Sequence, residues 1–161
     1  MMFKKTNNIL LIFLLFVISA SLIAAFIIQY GLGHQPCKLC IYQRIPYILS
    51  IFLIIELIFF KKNEKTTLLL LSLLFIISTI LAFYHLGIEQ GFFTESFLCD
   101  NKNFSETLTK DQLLEQLKQN AISCKDVSFK FLGMSLASIN VILSLILCVI
   151  FIRLFLNHGK N

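Results

Sequence analysis

Four long apolar runs leave this chain of 161 residues very few folds. They extend from Ile9 to about Ile28, from Ile45 to Phe60, from Thr66 to about Leu86, and from Phe131 to Leu156. A helix needs about 20 apolar residues to cross a hydrocarbon core. Within lipid every backbone N–H and C=O must find its partner inside the protein. Composition points the same way: 57% of residues are hydrophobic and 14% charged, against about 25% charged in soluble domains. The expected fold is an all-α membrane protein, one domain over residues 1–161. It is a four-transmembrane-helix bundle with spans at about 9–29, 41–60, 66–87 and 131–155 and outer loops at about 30–40 and 88–130.

The net charge of +5 belongs to orientation and not to nucleic-acid binding, because the lysines flank apolar runs and do not line one face. Lys4 and Lys5 precede the first run, and Lys61 to Lys65 form a short basic connection, so both are placed on the inner side, with both termini. Tyr30, Tyr42, Tyr47 and Tyr84 fall near the opposite ends of the spans, as one half of an aromatic belt would. The first run is too long for the apolar core of a signal peptide, about 7–15 residues, and is expected to stay as a span. Its Ser19, Ala20, Ser21, Ala24 and Ala25 would let a neighbouring helix approach, as would Gly133 and Ala137 in the fourth run. Glu56, close to Lys61 and Lys62, reads as a snorkelling interfacial carboxylate. In the second outer loop, Thr109-Lys110-Asp111-Gln112 resembles a capping box, and Leu113, Leu114, Leu117 and Ala121 follow at helical spacing. A short amphipathic helix lying on the membrane surface is expected there.

The chemistry concentrates in His34-Gln35-Pro36-Cys37-Lys38-Leu39-Cys40-Ile41-Tyr42-Gln43-Arg44, where the second span begins. Two cysteines three positions apart can close and reopen a disulfide across one turn, and a helix N-terminus stabilises a thiolate there. Arg44 follows Cys40 by four positions, one turn away on the same face. Cys99 and Cys124 lie in the second loop on the same side of the membrane. Two loop pairs on one side suit an oxidising compartment and a relay of thiol–disulfide exchanges, each passing through a mixed disulfide. The electrons must then leave, and a membrane offers a lipid-soluble acceptor such as a quinone. The competing reading is a structural zinc held by Cys37, Cys40, Cys99 and Cys124, but tetrathiolate sites usually bring close-spaced pairs and give Arg44 no task. No metal is therefore expected. His85, near the end of the third span, could face the quinone or simply cap a helix end; His34 and Glu89 read as ordinary loop and helix-end residues. Cys148, deep in the fourth run, behaves as a small hydrophobe.

Cys-Lys-Leu-Cys-Ile-Tyr-Gln-Arg followed by Ile-Pro, then Tyr-His-Leu-Gly-Ile-Glu-Gln-Gly-Phe-Phe, then Phe-Leu-Gly-Met-Ser-Leu-Ala-Ser-Ile-Asn, resemble the disulfide bond formation protein B (DsbB) family in order along the whole chain. The resemblance implies a four-helix protein of the bacterial inner membrane with cytoplasmic termini and periplasmic redox loops. It implies an oxidoreductase that reoxidises a DsbA-like periplasmic thiol oxidase and passes electrons to ubiquinone or menaquinone. By position, Cys37 and Cys40 match the pair nearest the quinone, with Cys40 contacting it, and Arg44 matches the quinone-supporting arginine. Cys99 and Cys124 match the pair that exchanges with the partner, Cys99 being the site of attack. The chain departs from the family in having no tryptophan.

Overall fold

The computed structural model describes residues 7–60, 63–94, 124, 130–131 and 133–159. Helix α1 spans Asn8–Phe26, with the Asn7 side chain accepting the Ile9 N–H at 3.0 Å as its cap. The same run continues through one π-helical turn, Ile27–Gly31. Helices α2 (Lys38–Tyr42) and α3 (Arg44–Phe59) follow, then α4 (Glu64–Glu89). A two-residue hairpin pairs Lys130–Phe131 with Met134–Ser135 before α5 (Leu136–Gly159). Among the described residues four segments are long and apolar enough to cross a bilayer: Asn8–Gly31, Lys38–Phe59, Glu64–Glu89 and Leu136–His158.

Local chemistry explains each irregularity. The α2–α3 break falls at Gln43 because Pro46 has no N–H for the Tyr42 carbonyl and its ring crowds that carbonyl. The Gln43 N–H still bonds to the Leu39 carbonyl at 3.0 Å, so the backbone runs on and Cys40 and Arg44 stay one turn apart. At the other end of the fourth run, Phe131 is apolar enough to extend the expected span, yet the helix starts only at Leu136. Gly133 turns the hairpin at φ +81°, a left-handed conformation suited to glycine. The Ser135 Oγ then accepts the Ser138 N–H at 3.2 Å and caps α5. Gly133 and Ala137 therefore do not share a helix face. The expected amphipathic helix at 109–121 lies outside the described residues, as do Lys61 and Lys62.

The core is a dry layer of Leu14 and Ile18 from α1, Ile54 from α3, Phe75 from α4 and Phe151 from α5. Phe75 and Phe151 stack with centroids 5.3 Å apart, and Tyr47 sets its edge on Phe75 at 5.6 Å. At the far end His158 and Glu64 approach to 3.9 Å and tie α5 to α4. Phe16, Phe52 and Phe83 point outwards. In water such faces would be association patches; in a bilayer they meet acyl chains. Tyr30 and Tyr42 are exposed as a belt requires, but Tyr47 is buried with its hydroxyl turned inwards and is no belt residue. Glu56 is exposed on the outer face of α3.

Candidate functional site

The site grows from the N-terminus of α2. Cys37 is the N-cap, and its Sγ accepts the Cys40 N–H at 3.4 Å. The two sulfurs lie 2.9 Å apart as free thiols, and both belong with Leu39, Ile88, Tyr84 and Cys124 to one small cluster. The Nε2 of His85, one helix away, stands 3.5 Å from Cys37 Sγ. The hydrogen bond from the Cys40 thiol holds the Cys37 thiol well below the ordinary range. Burial opposes that shift, while the His85 ring and the Cys40 amide add to it.

Cys124 is buried and disulfide-bonded. Its expected partner, Cys99, lies outside the described residues. A thiol in a disulfide offers no thiolate to a metal, so the four-cysteine zinc arrangement does not form in this state. The Sγ atoms of Cys37 and Cys40 and a ring nitrogen of His85 all lie within 4.8 Å of one another.

These groups open onto a cavity of about 270 Å³, which is walled mostly by apolar side chains and reached by Cys37, Cys40, Arg44, His85 and Cys124. His34 and Glu89 also reach it. Ser21, Ala24 and Ala25 line the same space, so these small side chains leave room beside α1 where the sequence suggested close helix contact. Arg44 donates from Nη1 to Gln29 Oε1 at 2.6 Å, and its guanidinium lies 4.9 Å over the Phe26 ring. It shares the cavity wall with Cys40, but its hydrogen bond goes to Gln29. Cys148 is buried in the helical core, away from this cluster.

Four polar residues at the site carry no site role in the sequence reading, Tyr47 being placed there in the aromatic belt. Gln29 sits in the π-helical turn and steadies Arg44; π turns often mark functional sites. Gln43, Asn140 and Tyr47 form a chain of hydrogen bonds leading to His85. A usable signal was present: Gln29 and Asn140 are polar residues inside apolar runs, which in a membrane is a functional hint by default.

The end of α4 folds back on the helix beside the site. Gly91 adopts φ +80°, and the N–H groups of Gly91 and Phe92 bond back to Ile88 and Gly87 at 3.0 and 2.8 Å, a Schellman ending. Phe93 then folds onto Gly87, where an added Cβ would run into its ring, and stacks on Tyr84 at 5.6 Å. The Tyr-His-Leu-Gly stretch thus needs its glycine to let Phe93 stack on Tyr84.

A four-helix membrane bundle with a Cys-x-x-Cys capping one span, a further disulfide-bonded cysteine packed against it and a cavity between the helices defines a membrane thiol–disulfide protein. The chain belongs to the DsbB family: the family model described as "Disulfide bond formation protein DsbB" matches residues 7–154. It is therefore an oxidoreductase-type membrane protein of the DsbB class. It is 29% identical over 160 residues to the uncharacterized protein RP370 of Rickettsia prowazekii (strain Madrid E), covering 98% of this chain and 92% of that one. It is 27% identical over 163 residues to disulfide bond formation protein B of Histophilus somni (strain 129Pt), covering 98% and 89%.

Proposed function

We propose that this protein oxidises a DsbA-like periplasmic thiol oxidase by disulfide exchange and delivers the two electrons to ubiquinone or menaquinone. The observation that carries the proposal is the meeting of Cys124, Cys37 and Cys40 in one buried cluster beside a cavity. A thiolate of the reduced partner attacks Cys99, forming a mixed disulfide and releasing Cys124 as thiolate. The second partner thiol resolves that bond, and the partner leaves oxidised. Cys124 attacks Cys37; the Cys37–Cys40 bond breaks and its electron pair stays on Cys40, at the cavity wall. Cys99 then attacks Cys124, which restores their disulfide and frees Cys37 as thiolate, and the Cys37–Cys40 bond re-forms as two electrons pass to the quinone. The quinone accepts two electrons and two protons overall, the protons being those lost by the partner dithiol.

The cavity is near the lower end of the range for small-molecule sites, about 300 Å³, and suits a single quinone ring with its tail left in lipid. Arg44, steadied by Gln29, supplies a fixed cation for the charge that grows on the ring oxygens. This arrangement requires the redox loops in the periplasm and both termini in the cytoplasm. Topology reporters placed after Lys5 and at Asn63 should read cytoplasmic, and one near Lys102 periplasmic.

The deciding experiment incubates purified protein with reduced DsbA-like oxidase and a soluble ubiquinone or menaquinone analogue, following both thiol loss and quinone reduction. One quinone should be reduced per partner disulfide formed. A partner lacking its second cysteine cannot resolve the bond and should stay trapped on Cys99 as a mixed disulfide on non-reducing gels. A trapped species through Cys37 would reverse the electron order, and thiol loss without quinone reduction would remove the quinone from the scheme.

A further inference from the structure

The hydrogen bonds around His85 determine which of its ring nitrogens carries the proton. The carbonyl of Leu81 can only accept, so the Gln43 atom 3.2 Å from it must be the amide nitrogen. That fixes Gln43 Oε1 towards Asn140, whose Nδ2 donates to it at 2.9 Å. Asn140 Oδ1 is left to accept from the Tyr47 hydroxyl at 2.7 Å. Every amide orientation in the chain then follows, and the remaining Gln43 N–H points at His85 Nδ1, 3.3 Å away. Nδ1 must offer a lone pair to that donor. In the neutral ring the proton therefore sits on Nε2, the atom facing Cys37 Sγ at 3.5 Å.

We propose that Gln43, Asn140 and Tyr47 are positioning residues that hold His85 in its Nε2–H tautomer, so that negative charge on the Cys37 sulfur always meets an N–H donor. The opposite tautomer would set two donors against each other at Gln43 and turn a nitrogen lone pair towards the sulfur. Gln43 and His85 are both 6% exposed, so water is poorly placed to repair either mismatch. The inference rests on the relay reading above, since it matters only if Cys37 carries charge during turnover. Arg44, on the same cavity wall, donates to Gln29 and stands outside this chain.

The test uses reduced full-length protein with 15N-labelled histidine, with His85→Asn serving only to assign the signals. Side-chain 15N spectra should show His85 protonated on Nε2 with Nδ1 bare. Asn140→Leu removes the donor that orients Gln43 and should give a mixture of tautomers. In a background keeping only Cys37 and Cys40, the same change should move the pH at which iodoacetamide alkylation of Cys37 falls off upwards by about one unit, the loss of one charge-assisted hydrogen bond. Tyr47→Phe, which leaves the packing nearly intact, should act in the same direction more weakly. An Nδ1–H ring in the unmodified protein, or an unchanged tautomer in both variants, overturns the proposal. Quinone reduction assayed on the same samples separates the two ideas: an Nε2–H ring without turnover would sink the relay alone, and turnover with an Nδ1–H ring would sink this inference alone.

Discussion

The two halves of the bundle are built on different rules. Towards the Glu64–His158 end, regular helices meet through Leu, Ile and Phe, and Phe75 stacks on Phe151 in a dry layer. Towards the Cys37 end, the helices are interrupted by a π turn, a proline break and a hairpin, and Gln, Asn, His, Arg and Cys side chains join the apolar ones between them. Tyr47 stands on the boundary, its ring in the apolar layer and its hydroxyl in the polar chain. The comparison teaches that the regular half supplies rigidity, while the irregular half opens a cavity and aims polar groups into it.

That division can be broken experimentally. The largest effect is expected from Cys40→Ser, which should abolish quinone reduction while far-ultraviolet helicity and melting temperature barely change. A large loss of stability would mean that the cysteine pair belongs to the scaffold. Next comes Phe75→Ala in the dry half, expected to cost on the order of 3 kcal/mol by opening a cavity beside Phe151. Its thermal midpoint should fall with little change in the quinone KM; a raised KM with intact stability would make the two halves one functional unit. Arg44→Ala should raise the quinone KM by roughly tenfold, about 1.4 kcal/mol, and leave mixed-disulfide formation with the partner intact. Arg44→Lys should restore activity only in part, because a point charge does not reproduce the planar fork. A weakened partner complex with unchanged quinone KM would move Arg44 to docking.

The smallest expected effect is a near-absence of change with pH. Cys37 is lowered from the ordinary thiol value of 9.0 to about 4, so its alkylation should stay nearly flat as pH falls from 9 and drop only as pH approaches that lower value. The native reduced form is deprotonated across this window and the unfolded chain is not, so the contribution to stability is full above 9.0 and is lost as pH falls towards about 4. An alkylation rate that already halves near pH 8 or 9 would show an ordinary thiol.

Much of the regular half was legible in the sequence, because apolar run length alone places a helix across lipid. The cysteine pair and Arg44 were legible too, since three- and four-residue spacings are local. The start of α5 was not: Phe131 prolongs the hydrophobic run, whereas the backbone obeys Gly133 and the Ser135 cap. The polar chain was hidden for a different reason. Gln43, Asn140, Tyr47 and His85 come from three helices, and whether they meet depends on how each helix is rotated and how far it is inserted. Tyr47 shows the cost of ignoring rotation: position along the helix suggested the interface, and azimuth put it inside.

The Gln43–Asn140–Tyr47 chain has a mechanical consequence. It crosses from the α2–α3 break to α5 and back to α3, with Gln43 also pinned to the Leu81 carbonyl and His85 of α4. Apolar helices in lipid can roll about their axes at little cost, since one greasy face exchanges for another and no water is expelled. A helix that rolls here must abandon polar partners that acyl chains cannot replace. Four side chains thus act as an indexing pin for three helices and fix the angular setting at which Cys37, His85 and the cavity wall face one another.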